Sequence, residues 1–196
     1  MNFSHSLKYL RIQKITTLLS IVLVSTGLMF MANSASAKED LSVVPFVELN
    51  KYLGKWHEIA RIDHSFQKGC KNSIAEYSMR SDGDIKVVNS CDITGNDKRK
   101  QAVGRAWVTE PTTNSKLRVQ FFLTGFKIGF LSGQYWIIAL DPNYKYVMVG
   151  EPSREYLWIL ARTPDLPEIV LKNLLIKAEE LGFDTEKLLF NKGLGP

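Results

Sequence analysis

The chain is poor in the residues that most enzyme chemistries require. Its 196 residues hold two cysteines and three histidines. Beyond residue 37 the histidines are His57 and His64, and neither has a second ligand at metal spacing, so no metal site is expected. No Ser-His-Asp set, P-loop or G-x-G-x-x-G fingerprint is present, which leaves ordinary hydrolase, kinase and Rossmann chemistry without a foothold. A large excess of one charge is missing too. The formal charge is +5, and three of those charges are Lys8, Arg11 and Lys14, in an N-terminal stretch without an acid; the other 159 residues carry +2. A nucleic-acid partner wants a strongly basic face, so none is expected. Internal repeats, low-complexity stretches and interdomain linkers are also absent. What the chain does have is apolar content, 45% of its residues, enough for the core of one domain.

After Lys8, Arg11 and Lys14 the chain runs through an apolar stretch, 15–32, to Ala35-Ser36-Ala37 and then Lys38-Glu39-Asp40. A basic head, an apolar stretch and small residues at A-x-A spacing predict a secretory signal over 1–37, cleaved after Ala37. Residues 38–196 then form one domain outside the cytoplasm, periplasmic or secreted. The alternative is a retained anchor, since about 18 apolar residues just span a bilayer. No cysteine stands near the cut to carry a lipid. Cys70 and Cys91 make an even count in an exported chain, which favours one disulfide.

From residue 56 to 162 the pattern is short β-branched and aromatic runs between turn signals such as Asp82-Gly83, Asp141-Pro142-Asn143 and Glu151-Pro152-Ser153. The runs predict strands at 56–62, 73–80, 84–91, 101–109, 116–122, 134–140, 146–150 and 156–161. Most links are of hairpin length, so sequence neighbours should pair antiparallel. Beyond Arg162 the period changes: Val170, Leu171, Leu174, Leu175, Ala178 and Leu181 make one stripe of a helix capped by Asp165 and stopped by Gly182. Residues 188–190 fit a last short strand. The fold class is all-β. An eight-stranded antiparallel up-and-down barrel leaves no open edges and encloses room for one small ligand, with the single C-terminal helix packed outside.

Alternation separates the faces of the strands. Ala75, Tyr77 and Met79, then Ile85, Val87 and Asn89, then Leu117, Val119 and Phe121, then Tyr135, Ile137 and Ala139 form an apolar or aromatic set. Their neighbours Glu76, Lys86, Arg118 and Gln120 are polar. Trp158 joins the inner set by alternation with Arg162. Gly104 and Ala106 put small residues on the inward side of their strand and should leave room.

Three blocks, GKWHEIARIDHSF at 54–66, QYWIIALDPNY at 134–144 and YLWILARTPDLP at 156–167, resemble the lipocalin family, and within it the bacterial lipocalins and the apolipoprotein D group. The match runs from about Val47 to Phe190. One departure is Leu140, which stands where the family's loop usually has Thr. The resemblance implies structural roles for Gly54, Trp56, Asp141, Tyr144 and Arg162, the arginine packing over the tryptophan at the barrel floor. It also implies that Tyr77, Asn89, Phe121, Tyr135 and Trp158 line the ligand cup, with no cofactor. The implied cargo is a small hydrophobic molecule, a fatty acid or lysophospholipid, stored or transported by a monomer or homodimer. Tyr77 and Asn89 would orient a ligand with one polar end. The inner set holds no basic residue besides the floor Arg162, so the chain should enter tail first.

Two local readings have rivals. Cys70 opens the second strand and Cys91 closes the third, so an antiparallel pair brings them to one end of the barrel and a disulfide is expected. The rival is a reactive inward thiol at Cys91 in a lipid isomerase or reductase, although burial would raise its pKa and no histidine shares its face. The segment 122–133 carries Phe126, Ile128, Phe130 and Leu131. It is either a lid packed on its own barrel or an exposed tip that touches a membrane or a second subunit.

Overall fold

A computed structural model of the chain describes residues 40–95 and 99–191. The predicted signal segment, 1–37, lies outside the described residues. Past Asp40 the chain runs to a one-turn helix, α1 (Leu49–Tyr52), and then to eight strands in hairpin succession. These are β1 (Gly54–Ile62), β2 (Cys70–Met79), β3 (Ile85–Ile93), β4 (Arg99–Val108), β5 (Lys116–Gln120), β6 (Gly133–Leu140), β7 (Tyr146–Gly150) and β8 (Leu157–Ala161). Every pairing is antiparallel. β1 bonds both β8 and β2, which closes the sheet into the expected barrel. Closure is partial along β1: β2 pairs with it from Gly54 to His57, and farther on β9 (Leu188–Phe190) takes the free side, with Ala60 opposite Phe190.

The second helix, α2 (Glu168–Glu180), buries Leu171, Leu174 and Ala178, one face of a 3.6-residue period. Its cap position is Pro167 rather than Asp165, and no side chain caps it. Pro167, with φ −56° and ψ 136°, is still outside the helix, and its missing N–H is one that the helix could not bond. Gly182, at φ +83°, ends the helix as expected: its N–H reaches the Glu179 carbonyl and that of Phe183 the Ala178 carbonyl. This turn delivers the Phe183 ring onto Gly150 of β7, where a Cβ would stand 2.6 Å from the ring.

The apolar residues form two layers. One fills the barrel around Trp56, Val87, Leu117, Ile137, Val149 and Leu160; the other lies between the barrel wall and α2, around Ile59, Met148, Ile159 and Leu174. Strict alternation misplaces Ala139. A bulge in β6 after Ile137 inserts an extra residue, so Ala139 pairs with Met148 and packs in the outer layer, while Leu140 turns inward. Met79 keeps inner register opposite Ile85 but lies at the strand end, exposed.

Candidate ligand-binding cup

The closed end is built on Trp56, which is fully buried and donates its indole N–H to the Tyr52 carbonyl of α1. The Arg162 guanidinium lies 3.8 Å from the centre of the Trp56 ring. It also donates to the carbonyls of Lys51, Tyr52, Lys55 and Tyr144. One side chain thereby ties α1, β1 and the β6–β7 turn together. Gly54, at φ +93°, sits beside it; a Cβ there would be 3.4 Å from Arg162 Nη1. In the β6–β7 turn, Asp141 Oδ2 accepts the N–H groups of Asn143 and Lys145, and the Tyr144 hydroxyl accepts the N–H of Glu48. Gly54, Trp56, Tyr144 and Arg162 thus meet at the floor, and Asp141 holds the turn that presents Tyr144.

Just above the floor three phenols converge. The Tyr135 hydroxyl lies 2.6 Å from that of Tyr52 and 3.0 Å from that of Tyr77. Burial, the largest cause, holds the pKa of all three well above the usual phenol value, so they stay protonated. Asn89 lies one step up the same wall, opposite Ala75 and Ala102; its Oδ1 is buried and has no donor among the described residues. Phe121 lies over Gly104, where a Cβ would be 2.8 Å from its ring. The room expected at Gly104 is thus taken by that ring. Trp158 faces inward opposite Arg61 and donates its indole N–H to Gln67 Oε1. Tyr77, Asn89, Tyr135 and Trp158 lie on the interior side, while Phe121, just past β5, covers Gly104 and is 39% exposed; the wall stays partly solvent-exposed at Ala75, Asn89, Ala102, Tyr135 and Trp158.

Toward the open end, where the 63–69, 121–132 and 151–156 loops gather, the wall carries an ion pair that sequence reasoning missed. Glu58 and Arg61 are both buried and inward, 2.6 Å apart. Gln67 Nε2 donates to Glu58 Oε2 at 2.6 Å and to Ser73 Oγ at 3.2 Å, while Arg61 donates to the carbonyls of Gln67 and Cys70. Arg61 Nε has no partner among the described residues. The expectation that the inner wall holds no base above Arg162 is therefore corrected. A bulge in β1 between Glu58 and Ala60 turns Arg61 inward. Glu58 was legible by alternation from Trp56; Arg61 was not.

At this end Cys70 and Cys91 form a disulfide, Cα atoms 5.3 Å apart, between β2 and β3. Both cysteines of the chain are thereby used, and Cys91 offers no thiolate. His64 stacks on Phe66, 3.6 Å between centroids, and neither ring nitrogen has a hydrogen-bond partner among the described residues. Burial first, and then the Arg61 charge, push its pKa down to about 4. The 121–132 loop folds onto the outer wall, held by Gln120. This buried side chain donates to the carbonyls of Phe122, Leu123 and Phe126 and accepts the N–H of Ile128. Its aromatic side chains nonetheless point out: Phe126 is 73% and Phe130 88% exposed. The backbone is packed on the barrel, as the lid reading expects, and the tip is exposed.

Residues 47–192 match the family model described as a Lipocalin-like domain. The chain is 40% identical over 153 residues to the outer membrane lipoprotein Blc of Vibrio cholerae serotype O1, covering 78% of this chain and 86% of the relative. It is 35% identical over 127 residues to bovine apolipoprotein D, covering 61% and 63%. Among solved structures it is similar to insecticyanin from the tobacco hornworm Manduca sexta, with a TM-score of 0.58, 25% identity, and 77% and 84% of the two chains covered.

Proposed function

The chain belongs to the lipocalin family, and from that membership we propose that it binds a small hydrophobic ligand, a fatty acid or lysophospholipid, inside its barrel. The observation that carries this reading is the contrast along the barrel. The floor around Trp56 is fully buried, whereas the inward-facing Asn89, Ala102, Tyr135 and Trp158 above it keep solvent exposure. A wall that faces inward and is still wet has space beside it. Val87, Leu160 and Val119 supply apolar surface there, and each buried methylene of an acyl chain gains about 0.8 kcal/mol before ordering costs. Storage or transport of such a lipid across an aqueous compartment, periplasmic or extracellular, is the role that fits an exported chain. The exposed tip around Phe126 and Phe130 then serves as a transient membrane contact during loading.

Native mass spectrometry of the purified protein, with lipid extraction, tests this without presuming the cargo. A co-purifying single-chain lipid is expected, as is displacement of a fluorescent lipid probe by fatty acids or lysophospholipids, with affinity rising with chain length. Trp158→Ala should weaken that displacement. Failure of every single-chain lipid to displace the probe overturns the reading.

A further inference from the structure

The hydrogen bonds at the closed end do not balance. Tyr52, Tyr135 and Tyr77 are joined by two hydrogen bonds, 2.6 and 3.0 Å long. Burial keeps each phenol protonated, so the trio holds one hydrogen more than its internal bonds consume. Whichever way the three hydroxyls rotate, one O–H is left over, and no further partner for it stands among the described residues. Asn89 presents the converse, a buried Oδ1 that accepts from nothing among the described residues. Asn89 stands two residues beyond Val87, which pairs with Tyr77, so the spare donor and the empty acceptor share one inner wall. Tyr135, only partly buried, is the member of the trio that keeps access to the interior.

A purely apolar chain end placed here would leave both groups unpaired, which a low-dielectric site penalises. We infer that the closed end of the cup is a subsite for a hydroxyl carried on the buried end of the ligand, one that accepts from the tyrosine trio and has Asn89 as acceptor for its own proton. This rests on the lipid-binding reading above and deepens it: the favoured cargo is an amphiphile with an oxygen function at each end. The apolar stretch between the two polar zones is short. Ser73, in the upper network, and Tyr77, at the trio, are four residues apart on β2, about 13 Å of strand.

The test compares ω-hydroxy fatty acids of graded chain length, each against its parent fatty acid, as competitors of a fluorescent lipid probe. The proteins are the full exported chain and its Tyr52→Phe/Tyr77→Phe/Tyr135→Phe variant, which removes every hydroxyl of the trio, with thermal melts confirming that both are folded. In the unaltered protein, at the best-fitting length, the hydroxy acid is expected to bind about fivefold to tenfold tighter than its parent, and in the variant that ratio should fall to one or below. Without the subsite, burying a hydroxyl costs affinity and the hydroxy acid binds more weakly. A ratio of one or less in the unaltered protein, as when water alone satisfies the trio, overturns the inference and leaves lipid binding intact. A preference that survives in the variant also overturns it. If neither member of any pair displaces the probe, lipid binding itself fails and the subsite with it.

Discussion

Arg61 and Glu58, three residues apart on one β-strand, are paired inside the barrel with Nη1 2.6 Å from Oε1. In a regular strand such residues face opposite ways. Here the β1 bulge puts both on the inner face, opposite Trp158 and Leu160. The pair is joined through Gln67 to the loop that follows β1 and to Ser73 on β2. It therefore fixes the mouth at the place where β1 has left β2.

Removing Arg61 leaves the buried Glu58 carboxylate without a cation, and removing Glu58 leaves Arg61 only the half-exposed Asp63 carboxylate, 3.8 Å away. Arg61→Met or Glu58→Gln alone is expected to cost about 3 to 5 kcal/mol in denaturant unfolding, whereas the same two changes together should cost clearly less than the single changes added. Additive losses would mean that the two side chains act independently.

At the other end, Trp56→Ala removes a fully buried indole and should lower stability by about 3 to 5 kcal/mol. Arg162→Ala forfeits its stacking on Trp56, about 0.5 to 2 kcal/mol, and frees the carbonyls of Lys51, Tyr52, Lys55 and Tyr144. Arg162→Lys should rescue it poorly, because an ammonium has no planar fork to serve four carbonyls while lying flat on the ring. Ligand affinity should fall only as folding fails. A well-folded Arg162→Ala that has lost binding would contradict the structural role.

How much of this was legible depended on whether periodicity survived. The eight strands, α2 and its stop at Gly182 follow from alternation, turn residues and a 3.6-residue stripe, and tertiary structure respects all three. The pairing of Cys70 with Cys91 followed from placing them at the ends of neighbouring strands. Ala139 and Arg61 were misread for one reason: each follows a bulge, and a bulge inverts every later position without changing composition. Tyr52 was invisible because its role requires α1 to stand beneath the barrel, which no local pattern announces. Gly104 was read as empty because the Phe121 ring that fills the space comes from the residue just past the end of β5.

His64 gives a pH dependence with a definite sign. Its folded pKa is about 4 against 6.5 for the free side chain. Above pH 6.5 it is neutral folded or unfolded and contributes no slope. Between pH 6.5 and 4 the unfolded chain takes up a proton that the folded one refuses, so stability falls as the pH drops through that window. Arg61 opposes protonation of His64, while Asp63 favours it weakly. The melting temperature should decline from pH 6.5 to 4, and the decline should be smaller in His64→Gln. An identical decline in the variant would place the titration elsewhere.

The 121–132 loop separates two roles that one mutation cannot. Gln120 is buried and satisfies four backbone groups of that loop, so Gln120→Leu strands three carbonyls and an N–H and should destabilise the protein by about 1 to 3 kcal/mol. Phe126 and Phe130 hold their rings in solvent, so Phe126→Ser with Phe130→Ser should leave the melting temperature nearly unchanged. If the tip meets lipid during loading, the double change reduces co-sedimentation with phosphatidylcholine and phosphatidylglycerol vesicles, because it removes most of the exposed aromatic surface and none of the loop's support. A large drop in melting temperature would instead show that the two rings pack on the barrel, and unchanged sedimentation would remove the membrane contact from the proposed function.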